Sequence, residues 1–225
     1  MRKILPLIPA AIVALAVTFA PKAYAQSDQA NLVDRARITI DDVKKDKEFG
    51  NARELLRHAK GVLIVPSLVK GGFFVGGEGG QGVLLARGGA GWSNPAFYTL
   101  ASASFGLQIG IEQAEVVMLI MNDKAMHAVM KNEFKIGADA GLAVVTLGSD
   151  AEAATTSAAG ADIVVWASAS GAYAGISVKG SIIKPHTTWN KAYYGRPETT
   201  TDIIIRRTVS NPGATPLRQN LDSLS

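Results

Sequence analysis

The apolar positions change their period near residue 61. Before it, Leu32, Ala36, Ile40 and Val43 recur at spacings of four, four and three, which is one face of an α-helix. Helix is therefore expected within residues 27–60. Phe49-Gly50 interrupts the pattern, and Asn51 is placed to cap a second helix, with Glu54 three residues on as in a capping box. Leu55, Leu56 and Ala59 give that helix an apolar side, and Gly61 stops it.

After Gly61 the period shortens. Val62 to Val65 reads as a short strand ended by Pro66. Residues 71–86 are glycine-rich, with Val75, Val83, Leu84 and Leu85 among the glycines, and Gly88-Gly89-Ala90-Gly91 is a turn. Residues 97–111 alternate: Phe97, Thr99, Ala101 and Ala103 fall on one face, Tyr98, Ser102 and Ser104 on the other. Glu115 to Met121 is an apolar run that suits a buried strand. Asn122 caps a short helix carrying Met126, Val129 and Met130.

Phe134 to Leu147 returns to strand character, and Ser149 to Gly160 is loop-like. Ile163–Ser170 and Ala172–Val178 form a plausible hairpin about Ser170-Gly171. Trp189 to Tyr194 makes a helical turn or two, and the tail from Asn211, with Pro212, Gly213 and Pro216, is expected to be loosely ordered. Repeated strand–helix alternation is missing, so parallel crossovers are not expected. The fold class is α+β: N-terminal helices, then a strongly curved, mainly antiparallel, glycine-rich sheet or barrel with short helices.

The N-terminus changes the picture of charge. Arg2 and Lys3 precede an apolar stretch from Ile4 to Ala20, and Ala23-Tyr24-Ala25 is a small-x-small cleavage site. Ala10 to Ala20 is short for a membrane span, which takes roughly 20 apolar residues. Residues 1–25 are thus expected to be an export signal cleaved after Ala25, followed by one domain over 26–210 and a tail over 211–225. The exported chain would be periplasmic or secreted. Taking Arg2, Lys3 and Lys22 from the 23 basic residues leaves one more than the 19 acidic ones, so the net charge falls from +4 to near neutral. That argues against a nucleic-acid binder. The chain has no cysteine, hence no disulfide and no lipidated cysteine at the cleavage point.

Catalytic chemistry finds little footing. Gly77-Glu78-Gly79-Gly80-Gln81-Gly82 satisfies G-x-G-x-x-G, yet Val83-Leu84-Leu85-Ala86-Arg87 follows where a dinucleotide site needs a helix. A bent glycine strand is the better reading, and no cofactor is expected. His58, His127 and His186 lack partners at metal-ligand spacing. His58 is expected to be exposed, His127 to border the core and His186 to sit in a turn. Gly91-Trp92-Ser93-Asn94-Pro95 lacks the second glycine of a nucleophile elbow, and Glu112 with Glu115 makes a poor carboxylate pair. No catalytic residue is assigned, and the chain reads as non-enzymatic.

The candidate binding residues are basic. Arg53, Arg57 and Lys60 are four and three apart on one helix face, and Lys70 follows the first strand. The plain reading is a solvated face. The functional one is a surface for anionic lipid headgroups, each basic residue contributing on the order of 1 kcal/mol. Lys44, Lys45 and Lys47 are offset by Asp41, Asp42, Asp46 and Glu48.

Five short blocks in order carry a resemblance: Ala59-Lys60-Gly61-Val62; Lys70-Gly71-Gly72-Phe73 with Gly76 to Val83; Trp92-Ser93-Asn94-Pro95-Ala96; Gly106-Leu107-Gln108-Ile109-Gly110; and Lys191-Ala192-Tyr193-Tyr194-Gly195. Together they resemble the SYLF family, a lipid-binding domain also found in yeast actin-patch proteins, over roughly residues 30–207. Glu78 departs from eukaryotic members, which often carry a basic residue in the glycine block. The resemblance implies phospholipid or phosphoinositide binding without catalysis. Actin is an unlikely partner for an exported chain, and a cell-envelope structural or protein-interaction role is the alternative.

Overall fold

The computed structural model of the protein describes residues 27–45, 50–72, 75–105, 111–137, 144–147, 160–169 and 180–224. The expected leader (1–25), the block 106–110, most of the loop 149–160 and the second arm of the expected hairpin lie outside the described residues. The side chain of Arg53 does too.

Helix α1 spans Asp28–Lys45, and α2 spans Gly50–His58. The second helix begins one residue before Asn51, which therefore stands inside its first turn rather than capping it. Glu54 serves a different purpose: its carboxylate accepts from Arg57 Nη1 at 3.0 Å and faces His58 Nε2 at 3.1 Å. The strands follow as β1 (Gly61–Gly72), β2 (Val75–Gly88), β3 (Gly91–Trp92), β4 (Ala96–Phe105) and β5 (Ile111–Ile120). Helix α3 (Asp123–Val129) starts at Asn122, whose side chain accepts from Ala125 N–H at 2.9 Å, as expected of an N-cap. Then come β6 (Phe134–Lys135), β7 (Val144–Leu147), β8 (Ile163–Ala169), β9 (Ile182–Pro185) and α4 (Thr187–Tyr194). The chain closes with a π-helical turn (Asp202–Arg206), a 3₁₀ turn (Pro212–Ala214) and α5 (Thr215–Asp222).

Among the described residues one curled sheet runs in the order β6-β9-β4-β2-β1-β5-β8-β7, with β3 on β2. Its pairs are antiparallel except β7–β8, which is parallel. Strand β1 does not end at Pro66. It runs through a bulge in which Val65 and Leu68 face Val116 and Ala114, three residues spanning the rise of two. A bulge tolerates a residue without an N–H and bends the strand. The bulged backbone passes close over β2. A Cβ at Gly80 would sit 2.5 Å from Ser67 O, and one at Gly82 would sit 2.7 Å from Ile64 O. The glycine block is required there for close approach.

Both faces of the sheet are covered. Val62, Ile64, Val83, Leu85, Phe97, Val117, Leu119 and Trp166 pack on one face under α1, α2 and α5. Leu63, Val65, Leu84, Tyr98, Leu100, Val116, Met118 and Ile120 pack on the other with α3, Phe134, Ile203 and Ile204. The expected polar face of β4 is therefore a core face at its start, where Tyr98 and Leu100 are buried. Alternation sorts residues between faces, but it does not say that a face is wet. The tail also departs from expectation. Leu217 and Leu221 of α5 are fully buried against α1, and Asn220 Nδ2 donates to Arg37 O at 3.0 Å. Proline and glycine there start a helix: Asn211 accepts from Gly213 N–H and Pro216 occupies its first turn.

Candidate functional site

Strands β1, β2 and β5 end together where α2 delivers the chain to the sheet. Lys60 N–H donates to Ile120 O at 2.7 Å, and Lys60 O accepts from Arg87 N–H at 2.8 Å. This stitches Lys60 between the two neighbouring strands. The last carbonyls of a helix lack internal partners. Here Arg87 supplies them: Nη2 donates to Leu56 O at 2.8 Å and Nε to Ala59 O at 3.2 Å. Its guanidinium also lies 4.6 Å from the centre of the buried Trp92 ring, a cation–π contact. Partial burial pulls its pKa down, opposed by the Asp222 carboxylate.

Two further arginines hold the same turn. Arg207 Nη2 donates to Gly91 O at 2.8 Å, and Arg218 Nε donates to Trp92 O at 2.8 Å. A Cβ at Gly88 would stand 2.6 Å from Arg207 Nη2, so glycine makes room for the guanidinium. Gly91 has φ +79°, a left-handed backbone suited to glycine. Among the described residues Arg87, Arg207 and Arg218 form no salt bridge, whereas Arg37, Arg57, Arg196 and Arg206 each do. Guanidinium donors bound to neutral carbonyls keep their positive charge uncompensated, apart from nearby Asp222.

The expected basic surface is thus partly assembled. Arg57 and Lys60 are exposed at this end of the sheet, beside Arg87. Arg57 shares Glu54 with His58. Lys70 is elsewhere. It lies ten residues along β1 from Lys60, on the order of 30 Å at about 3.3 Å per strand residue. Its register partners are Glu78 and Glu112, so it sits in a row with acidic neighbours. Arg207 and Arg218 escaped sequence reasoning because more than a hundred residues separate them from Arg87. Only Arg87 carried a local sign, standing directly before the glycine turn.

The remaining candidates fall out as follows. Gly77 to Gly82 lies within β2, a strand as expected. Of the expected carboxylate pair, Glu115 stands in β5, whereas the side chain of Glu112 lies outside those described. Glu115 accepts from Thr39 Oγ1 of α1 at 2.7 Å. Burial raises its pKa, and the Thr39 hydrogen bond works against the rise. His58 is exposed as expected, but His127 is exposed rather than bordering the core. His186 precedes α4 and stacks on Trp189 at 5.1 Å, and burial lowers its pKa.

Two sequence blocks far apart in the chain meet in space. Tyr194 Oη donates to Pro95 O at 2.6 Å, and Asn190 Oδ1 accepts from Phe97 N–H at 2.8 Å. Phe97 O accepts from His186 N–H at 2.7 Å, so α4 and the residue that precedes it satisfy both backbone groups of one β4 residue. The closing Lys191-to-Gly195 block is therefore scaffold for the Trp92-to-Ala96 block, which in turn holds the arginine turn.

Comparison with known proteins gives this arrangement a family. A family described as "Ysc84: Las17-binding protein actin regulator" matches residues 101–224. The chain is 31% identical over 196 residues to LAS seventeen-binding protein 3 of Saccharomyces cerevisiae, covering 84% of this chain and 42% of that protein. Protein YSC84 of the same yeast is similar to the same degree and extent. SH3 domain-containing YSC84-like protein 1 of Homo sapiens is 30% identical over 173 residues, 76% of this chain and 50% of that protein. The chain spans about half the length, or less, of the curated relatives it matches. Helices on a curled glycine-rich sheet, the joined sequence blocks and these matches agree: the chain belongs to the Ysc84, or SYLF, family of Las17-binding actin-regulator relatives.

Proposed function

We propose that this chain is a non-catalytic, exported module that binds anionic membrane surfaces through phospholipid or phosphoinositide-type headgroups. The observation that carries the reading is the basic end of the sheet, where Arg57 and Lys60 join Arg87, Arg207 and Arg218. Three of these guanidiniums are fixed by backbone carbonyls and form no salt bridge among the described residues, with the Asp222 carboxylate near Arg87. Basic groups near an anionic surface contribute about 1 kcal/mol each and weaken with salt. An export signal over residues 1–25, as the sequence leads one to expect, would bring this surface to an envelope membrane.

Co-sedimentation with phosphatidylserine-containing vesicles tests the proposal. Binding is expected at low ionic strength and should fall as salt rises. The double variant Arg57→Ala/Lys60→Ala should bind about thirtyfold more weakly, the equivalent of about 2 kcal/mol. Lys70→Ala should have a smaller effect. Absence of binding to anionic vesicles at low salt would sink the reading.

A second reading is a protein-interaction module of the cell envelope. The relatives' names describe a protein partner, Las17, and favour it to that extent. Capture of an envelope protein that survives detergent, with no vesicle binding, would select this reading instead. Actin is not proposed as a partner for an exported chain.

A further inference from the structure

We infer that the π-helical turn Asp202–Arg206 is a membrane-inserting wedge with Ile205 at its tip. This rests on the lipid reading above and supplies its apolar half. Ile205 is 53% exposed, more than Ile38 at 43% or Val69 at 42%, the other large apolar side chains exposed among the described residues. A single exposed isoleucine is ordinary on a protein surface. What distinguishes this one is its frame.

Ile203 and Ile204 are buried in the core below. Three consecutive helical residues cannot all face one side, so position 205 must point away from that core. The geometry forces the position outward, but it does not require an isoleucine there, and a polar residue would serve the fold equally well. The turn is also firmly tied. Asp202 carboxylate accepts from Thr199 Oγ1 at 2.5 Å and from Arg206 Nη1 at 2.8 Å. Thr208 N–H donates to Asp202 O at 3.0 Å. Arg207 takes φ 54°, the only left-handed non-glycine residue among those described, and its guanidinium reaches back to Gly91 O. Backbone held in a sparsely populated region, and π-helical turns in particular, gather at functional sites.

The chemistry of the surroundings names the partner. Arg206 and Arg207 follow Ile205 directly, and Arg207 joins Arg87 and Arg218 on the Gly88–Trp92 turn. An apolar tip followed in the chain by two arginines, the first paired to Asp202 and the second bound to Gly91 O, fits the boundary between anionic headgroups and acyl chains. Because the turn is already fixed, insertion orders nothing further and the buried isoleucine surface adds directly to affinity.

The natural chain has no cysteine, so a single introduced one is labelled without ambiguity. Ile205→Cys and Ile38→Cys, each carrying a polarity-sensitive fluorophore, are mixed with phosphatidylserine/phosphatidylcholine vesicles. The label at position 205 should shift to the blue, and the label at 38 on α1 should not. Ile205→Ser should bind these vesicles about tenfold more weakly, with the deficit persisting when salt is raised. If the natural chain binds while the label at 205 stays aqueous and Ile205→Ser binds normally, the wedge is wrong and the lipid reading survives. If the natural chain fails to bind at low salt, the lipid reading falls and the wedge falls with it.

Discussion

Arg87 ties three parts of the molecule together: the end of α2, the β2–β3 turn and the buried Trp92 ring. Arg87→Ala takes the guanidinium donor from Ala59 O, leaves Leu56 O only its long bond from Ala59 N–H, and strips the cation from the indole. A loss of about 1–3 kcal/mol in denaturant unfolding is expected, together with faster amide exchange in α2. Gly82→Ala probes the bulge, because its Cβ would meet Ile64 O and Val65 Cγ2 at 2.7 and 2.8 Å. Overpacking of this kind should cost about 1–3 kcal/mol by the same measurement. Glu115 and His186 give opposite pH slopes. The carboxyl of Glu115 is held up by burial, so its folded form keeps a proton longer than its unfolded form. Stability is then lost as pH rises from the ordinary glutamate value through the raised folded one. Glu115→Gln, which keeps an acceptor for Thr39, should melt higher than the natural chain at pH 7 and no higher at pH 4. His186 is held down by burial, so the unfolded state takes the proton first, and its contribution fades as pH falls through about 6.5. His186→Gln should flatten that part of a melting-temperature profile.

Among the elements, α5 shows most plainly what local signals miss. Pro212, Gly213 and Pro216 mark a turn by composition, but Leu217 and Leu221 at a spacing of four find α1 across the molecule. Lys44 reaches Asn220 and Ser223, and Asn220 donates to Arg37 O and Asp41. Ending the chain before Thr215 should remove about 3–6 kcal/mol through those two leucines and lower the melting temperature by about 10 °C or more. It also removes Arg218, so Trp92 O loses its guanidinium donor. Helix α3 is the opposite case: Asn122 as cap and Met126 with Val129 inward were legible, because a cap and a helical period act within one turn. Pro66 misled as a strand end for a nonlocal reason. A proline ends a regular strand, but a bulge opposite β5 absorbs it, and the bulge depends on register.

For the whole molecule, charge and apolar order are decided at different ranges. The α+β class and the antiparallel habit of the sheet followed from period changes near Gly61 and from the spacing of glycines, because those signals act over neighbouring residues. The family resemblance followed likewise from blocks read in order, and the matched family agrees with it. That both sheet faces are buried was not legible, since period two divides side chains between faces without saying what covers them. Nor was the basic end. Sequence alone read Arg53, Arg57 and Lys60 as one helix face, but α2 ends at His58 and Lys60 lies past it, bonded to Ile120 and Arg87. It also added Lys70 from the far end of β1 and left out Arg87, Arg207 and Arg218. Those three converge only when β2, the π-helical turn and α5 meet at the Gly88–Trp92 turn. The sequence by itself determined α1, α3 and the glycine-spaced strands, because helical and strand periods are local. Only the tertiary structure decided which charges share a surface, because that depends on contacts between residues more than a hundred positions apart.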